Sequence, residues 1–264
     1  MNQHQLPNGH LIDEGPNWIH GTTNNPILDL AKKTQTDTGS WDSRSYAFSD
    51  SGELFDVDDS DKYADTMWSI VEDAFKHSNQ NGNNISEKES LHDFFLEKVK
   101  ERIPESEEDW ARKREIVMQT SELWGAFVGS AIEKQSLKFF WMEECIEGEN
   151  LFCAGTYKKI LASVAEPALA GADIKLGTLA EKVTYGLGPE SPTKVQVTGG
   201  NTLEFDAVVV TSPLGWLKKH VDAFEPGLPP RLYQAIQSIE YGCLEKVKSQ
   251  LLPLSHPLTS TRST

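Results

Sequence analysis

Three stretches of the sequence concentrate side chains that could do chemistry. The first runs Gly15, Pro16, Asn17, Trp18, Ile19, His20, Gly21 and is followed by Asn25-Pro26. Glycines let a backbone approach a flat ligand, and a neutral imidazole at His20 can orient an amine or accept its proton. A packed Trp and a hydrogen-bonded His account for the same residues taken alone. The second stretch, 208–218, reads Val-Val-Val-Thr-Ser-Pro-Leu-Gly-Trp-Leu-Lys. Its continuous apolar run predicts a strand buried on both faces, opening at Thr211 and Pro213 into a tight turn, the crevice position at which open α/β sheets bind ligands. The third is Tyr241-Gly242-Cys243-Leu244-Glu245-Lys246-Val247. Lys246 beside Glu245 reads as one half of a surface ion pair, although it follows a Gly turn and enters a strand-like Lys-Val step.

Other chemistries are not supported. Asp56, Asp58, Ser60 and Asp61 begin like a calcium loop, but Asp61 stands where Gly is needed and Met67 where the bidentate Glu belongs. The GxG at 186–188 precedes Pro189 and no helix, so it reads as a turn and not a dinucleotide cradle. There is no GxSxG elbow and no HExxH helix. Cys145, Cys153 and Cys243 contain no CxxC pair, so neither zinc nor a disulfide framework follows, and no metal ligands are assigned. Gly125 and Gly129 read as a small-residue pair for close helix packing.

These residues must be held by the remainder of a 264-residue chain, long enough for one large domain or two ordinary ones. Asp and Glu total 40 against 25 Lys and Arg, a formal charge of -15, which repels nucleic acid and attracts cations. No apolar run approaches the roughly 20 residues of a membrane span. The start, MNQHQLPNGHLIDEG, lacks the basic and apolar regions of a signal peptide, so secretion is not expected, and the odd, dispersed cysteines suit a reducing compartment.

Residues 10–12 read as the end of a strand and 13–25 as a loop, with more structure expected upstream. Helical periodicity runs over 26–33 and then 61–134, with Met67, Ile70, Val71 and Ala74 on one face and Leu91, Phe94, Phe95 and Val99 on another. Ile116, Val117, Leu123, Trp124, Phe127 and Val128 continue it. Thr156 is expected to cap a helix to about Ala165. Strands are expected at 174–176, 182–185, 195–198 and 207–211, the last in a mostly parallel sheet, and Pro229-Pro230 should start a final helix. The pattern predicts an α/β sheet domain interrupted by a helical domain.

In this order and separation, the three stretches resemble the flavin-dependent amine oxidase family, and within it the polyamine oxidase branch, from about Gly9 to Val247. The resemblance implies a partial FAD-binding, Rossmann-like domain with a helical insertion and a substrate-domain sheet. Its segments would be 1–35 (flavin-binding), 36–147 (helical substrate domain), 148–247 (flavin-domain strands and the start of the substrate sheet) and 248–264, a tail without resemblance. By the same resemblance Gly15, Pro16, Asn17, Trp18 and Ile19 lie against the flavin, His20 lines the amine site, and the 148–157 approach adjoins them. Val183 meets the adenine end of FAD, Thr211 and Pro213 belong to the cofactor turn, and Lys246 is the active-site lysine. The family begins with a GxGxxG unit that is absent here, and Ser212 and Trp216 replace residues that are small and apolar in relatives. The implied activity is amine, in particular polyamine, oxidation by hydride transfer to FAD with O2 as second substrate, in the cytoplasm or a peroxisome. The alternatives are a non-catalytic truncated remnant acting through protein contacts, or an incomplete gene model.

Overall fold

A computed structural model describes residues 2–40, 45–186, 188 and 191–245. Strands β1 (Gln3–Gln5) and β2 (Leu11–Asp13) form an antiparallel hairpin, and β3 (Trp18–Ile19) follows at once. Helix α1 (Pro26–Lys33) starts where the sequence says it must: the Asn25 side chain accepts from the Ile27 amide, Pro26 opens the first turn, and Lys32 and Lys33 close the last.

Three helices then build the helical region: α2 (Val57–Asn81), α3 (Leu91–Arg102) and α4 (Trp110–Val128). Helix α3 carries a capping box, Ser90 and Asp93 each satisfying the other's backbone amide. Helix α4 ends at Gly129 with φ +74°, the left-handed stop that glycine adopts without Cβ strain. Met67, Ile70, Val71, Leu91, Phe95 and Val117 are buried between the three helices. Each such side chain contributes about 1.5–3 kcal/mol through apolar burial. Phe75 stacks on Phe140 at 4.5 Å, and Trp124 meets both rings edge-on while its indole N–H donates to Gln135 Oε1 at 2.8 Å. Helix α4 departs from the expected face. Val117, Ser121 and Trp124 are buried, one stripe at helical spacing, while Leu123 and Phe127 lie on the next face and are exposed.

Beyond a short 3-10 turn (Phe140–Glu143), β4 (Leu151–Phe152) returns to pair with β3. Helix α5 (Lys158–Gly171) begins later and runs further than expected. Thr156 sits at φ +64°, outside the conformation of a helix cap, and the helix continues through the exposed Pro167, flanked by the strong helix formers Ala165, Ala168 and Ala170. A four-stranded sheet follows in the order β7-β6-β5-β8: β5 (Ala180–Thr184), β6 (Thr193–Val197), β7 (Thr202–Phe205) and β8 (Phe224–Glu225). Val195 and Val197 turn inward while Gln196 turns out, the period of two of a half-buried strand. Helices α6 (Leu214–Lys219) and α7 (Pro230–Ser238) complete the described fold.

Three strand expectations are corrected. Among the described residues only β5 and β8 pair in parallel; the other strand pairs are antiparallel. Residues 174–176 form no strand, because the chain turns at Leu176-Gly177, where Gly177 takes φ +67°. Residues 207–211 also form none, and Val209 is 85% exposed. A strand exists only through a neighbour's hydrogen bonds, and among the described residues no strand lies alongside this run. The mixture of helices and mixed sheets is nonetheless of the α/β class that the pattern predicted.

Candidate active site

Strands β3 and β4 bring together segments that the whole helical region separates. Trp18 pairs with Phe152 and Ile19 with Leu151, and the Cys153 amide donates to Asn17 O at 2.8 Å. Trp18 and Phe152 meet edge to face at 5.3 Å. On its other side Phe152 exchanges backbone bonds of 2.8 and 2.9 Å with Gly39, so β4 lies between two partners. Ile19, Leu28, Ala31, Cys153 and Ile160 form a small apolar core under the pairing, drawing on β3, α1 and α5.

Polar contacts brace the same loop. The Asp13 side chain, 4% exposed, accepts from Gln3 Nε2 at 2.8 Å and from the Tyr157 amide at 2.7 Å, tying β2 to the start of α5. The Tyr157 hydroxyl donates to Trp18 O. Burial pushes the Tyr157 hydroxyl above the ordinary tyrosine range, reinforced by Cys153 and Asp13, and burial beside Asp13 likewise raises the Cys153 thiol. Both therefore stay protonated near neutral pH.

A cavity of about 200 Å³ opens here between Leu11, Asp13, Asn17, Phe152, Cys153 and Thr156. Gly15 stands near the start of this loop, and among the described residues nothing lies within 4 Å of where its Cβ would project. Packing therefore does not require a glycine there, whereas a flat ligand would. The cavity is smaller than the roughly 300–1,000 Å³ that encloses a whole ligand, so it suits the edge of a flat ring system. For the phosphates of a dinucleotide, the described residues hold no GxGxxG turn: the turn from β4 into α5 carries the single glycine Gly155. The residues present thus fit the ring end of a flavin and not its pyrophosphate.

The expected site residues fall into separate groups. Gly15, Asn17 and Trp18 are half-buried, Pro16 and His20 exposed, and Ile19 is core at 1% exposure, so Ile19 supports the loop from beneath. Val183 is half-buried in β5 between Val195 and Phe224. Thr211 and Pro213 are exposed, and the hydrogen bonds of Pro213 O run to Trp216 and Leu217 of its own helix. Lys246 and the 248–264 tail lie outside the described residues. The chain just before Lys246 is seated closely: the Cys243 amide donates to Gly129 O at 2.7 Å, and a Cβ on Gly242 would meet Val128 O at 2.2 Å. Sequence reading missed the role of Asp13; it took the 148–157 approach as adjoining the loop but gave Asn150 no part of its own, and the neighbouring glycines were the available signal.

An α/β frame interrupted by helices, with a glycine-rich loop paired to a distant strand, has a counterpart among solved structures. The chain aligns with a redesigned putrescine oxidase variant at a TM-score of 0.52, with 16% identity over 89% of this chain and 54% of that one. Residues 1–249 match the flavin containing amine oxidoreductase family, and the chain belongs to it. FAD is the cofactor that goes with this family. "Probable polyamine oxidase 4" of Arabidopsis thaliana is 27% identical over 250 residues, 90% of this chain and 48% of its own length. "Lysine-specific histone demethylase 1 homolog 3" of the same plant is 36% identical over 106 residues, 38% of this chain and 6% of its own length. The "Peroxisomal N(1)-acetyl-spermine/spermidine oxidase" of Bos taurus is 41% identical over 61 residues, 23% of this chain and 12% of its own length. The chain spans about half the length of the polyamine oxidases it matches. Among the described residues no helix is long and apolar enough to cross a membrane.

Proposed function

We propose that this chain contributes to FAD-dependent oxidation of amines, with polyamines as substrate class and O2 as second substrate, in the cytoplasm or a peroxisome. The observation that supports the reading is the pairing of β3 with β4, beside which Asn17 and the Phe152 to Thr156 segment line one cavity with Leu11 to Asp13. When bound, FAD would supply the redox chemistry, hydride acceptance from the carbon next to the amine nitrogen, which leaves an imine for water to hydrolyse, and return of the two electrons to O2 as peroxide. Asn17 and Phe152, which line the cavity, would hold the ring edge, and the open space beside Gly15 would let the loop backbone approach it. His20, exposed at the end of β3, orients the unprotonated amine, the form able to release a hydride. Lys246 holds a water beside the reacting centre. The charge of -15 attracts the remaining ammonium groups of a polyamine. Segments 1–35, 36–147 and 148–247 serve as flavin-binding, substrate and mixed parts in this reading.

The test is anaerobic mixing of the chain, in excess FAD, with spermine or putrescine, followed by admission of oxygen. Bleaching and recovery of the flavin absorbance support the reading, with Lys246→Met at least about 10-fold slower in one half-reaction, about 1.4 kcal/mol of barrier. No bleaching refutes it. One observation favours a second reading, a non-catalytic protein acting through contacts: the apolar run at 207–211 is uncovered, with Val209 85% exposed. A protein that is colourless once free FAD has been removed, with micromolar binding absent on titration, supports that reading instead.

A further inference from the structure

The loop carrying His20 is strapped from two sides, and one side chain joins the straps. Asn25, 5% exposed, donates from Nδ2 to His20 O at 2.8 Å and to Gly21 O at 2.9 Å, while its Oδ1 accepts from the Ile27 amide at 2.9 Å. From the other side, the Gly21 amide donates to Asn150 Oδ1 at 3.0 Å, and the Thr22 and Thr23 amides donate to Glu147 O at 3.0 and 2.9 Å. Packing there leaves no slack: a Cβ on Gly21 would stand 2.1 Å from Ile146 O. The helix cap needs only the acceptor Oδ1, so the two donated bonds to consecutive carbonyls are a separate function of the same side chain.

We propose that Asn25 is a positioning residue: by holding the His20 and Gly21 carbonyls it sets the rotation of the His20 peptide and hence the direction of the imidazole. Asn150 holds the opposite edge of the same peptide. The assignment rests on the amine-binding role of His20 given above, but the clamp can be tested without it. Asn25→Asp keeps the cap acceptor and the side-chain shape, suits a helix N-terminus, and removes both donor hydrogens. Asn25→Ser keeps the cap with a neutral group and is the second variant should a buried carboxylate prevent folding.

Amide hydrogen exchange and the His20 ring resonances, followed by NMR on the chain, read the clamp directly. The expected result in either folded variant is exchange at Gly21, Thr22 and Thr23 faster by about 10-fold or more, unchanged protection within α1, and displaced His20 ring signals. Exchange within about twofold of the unaltered chain, or unmoved His20 ring signals, overturns the proposal and leaves Asn25 as a cap alone. A responding clamp in a chain whose flavin no polyamine bleaches keeps the clamp and removes the amine reading, so the two failures are distinct.

Discussion

Removing one oxygen atom, in Tyr157→Phe, tests whether the candidate site is braced as described. The ring remains to pack beside Ile160 and Cys153, and only the hydrogen bond from the hydroxyl to Trp18 O disappears. A neutral hydrogen bond of this kind has a net worth of about 1 kcal/mol, because the unfolded chain recovers it with water. For a chain of this size that lowers the melting temperature by about 2–4 °C. The pH dependence has a definite sign. The folded-state pKa of Tyr157 is raised above the ordinary value of 10.0, so its stabilising contribution is complete below that value and falls as pH rises through it. The difference between the natural chain and Tyr157→Phe should therefore shrink above about pH 10. Thermal melts followed by tryptophan fluorescence at neutral and alkaline pH measure both. A neutral-pH difference under about 0.3 kcal/mol, or one that widens in alkali, would show that the hydroxyl does not brace Trp18.

Two further predictions concern the frame. Gly21→Ala puts a Cβ 2.1 Å from Ile146 O at a position with φ +74°, so it should destabilise by more than about 2 kcal/mol, read as a shifted urea midpoint. Ser90→Ala should destabilise by about 1 kcal/mol through loss of the α3 capping box. The backbone and side chain of Ser90 hold the Asp93 carboxyl below its ordinary range, so that contribution is present above the ordinary value of 3.8 and is lost as pH falls below it. The Ser90→Ala difference should accordingly narrow in acid, as urea titrations at several pH values will show.

Local signals in the sequence decided a definite part of this molecule. Asn25-Pro26, the Ser90 and Asp93 pair and Pro229-Pro230 specify where helices begin, because capping involves only residues within one turn. The 3.6-residue spacing of Met67, Ile70, Val71 and Ala74 marked the buried face of α2, and the loop before α1 stood out for its concentration of glycine, tryptophan and histidine, which packing alone could also explain. Pairing was another matter. Periodicity says that a side chain seeks burial, not which distant segment buries it, so 207–211 read as a central strand yet lies exposed. Only the fold set Trp18 against Phe152, drew the Asp13 carboxylate to the Tyr157 amide and the Tyr157 hydroxyl to Trp18 O, and closed Asn25 and Asn150 on the His20 loop. Apart from the local Asn25 bonds, those contacts join residues at least 129 positions apart, and they exist because β4 and α5 pack against β3 and α1 in a core separate from that of the helices.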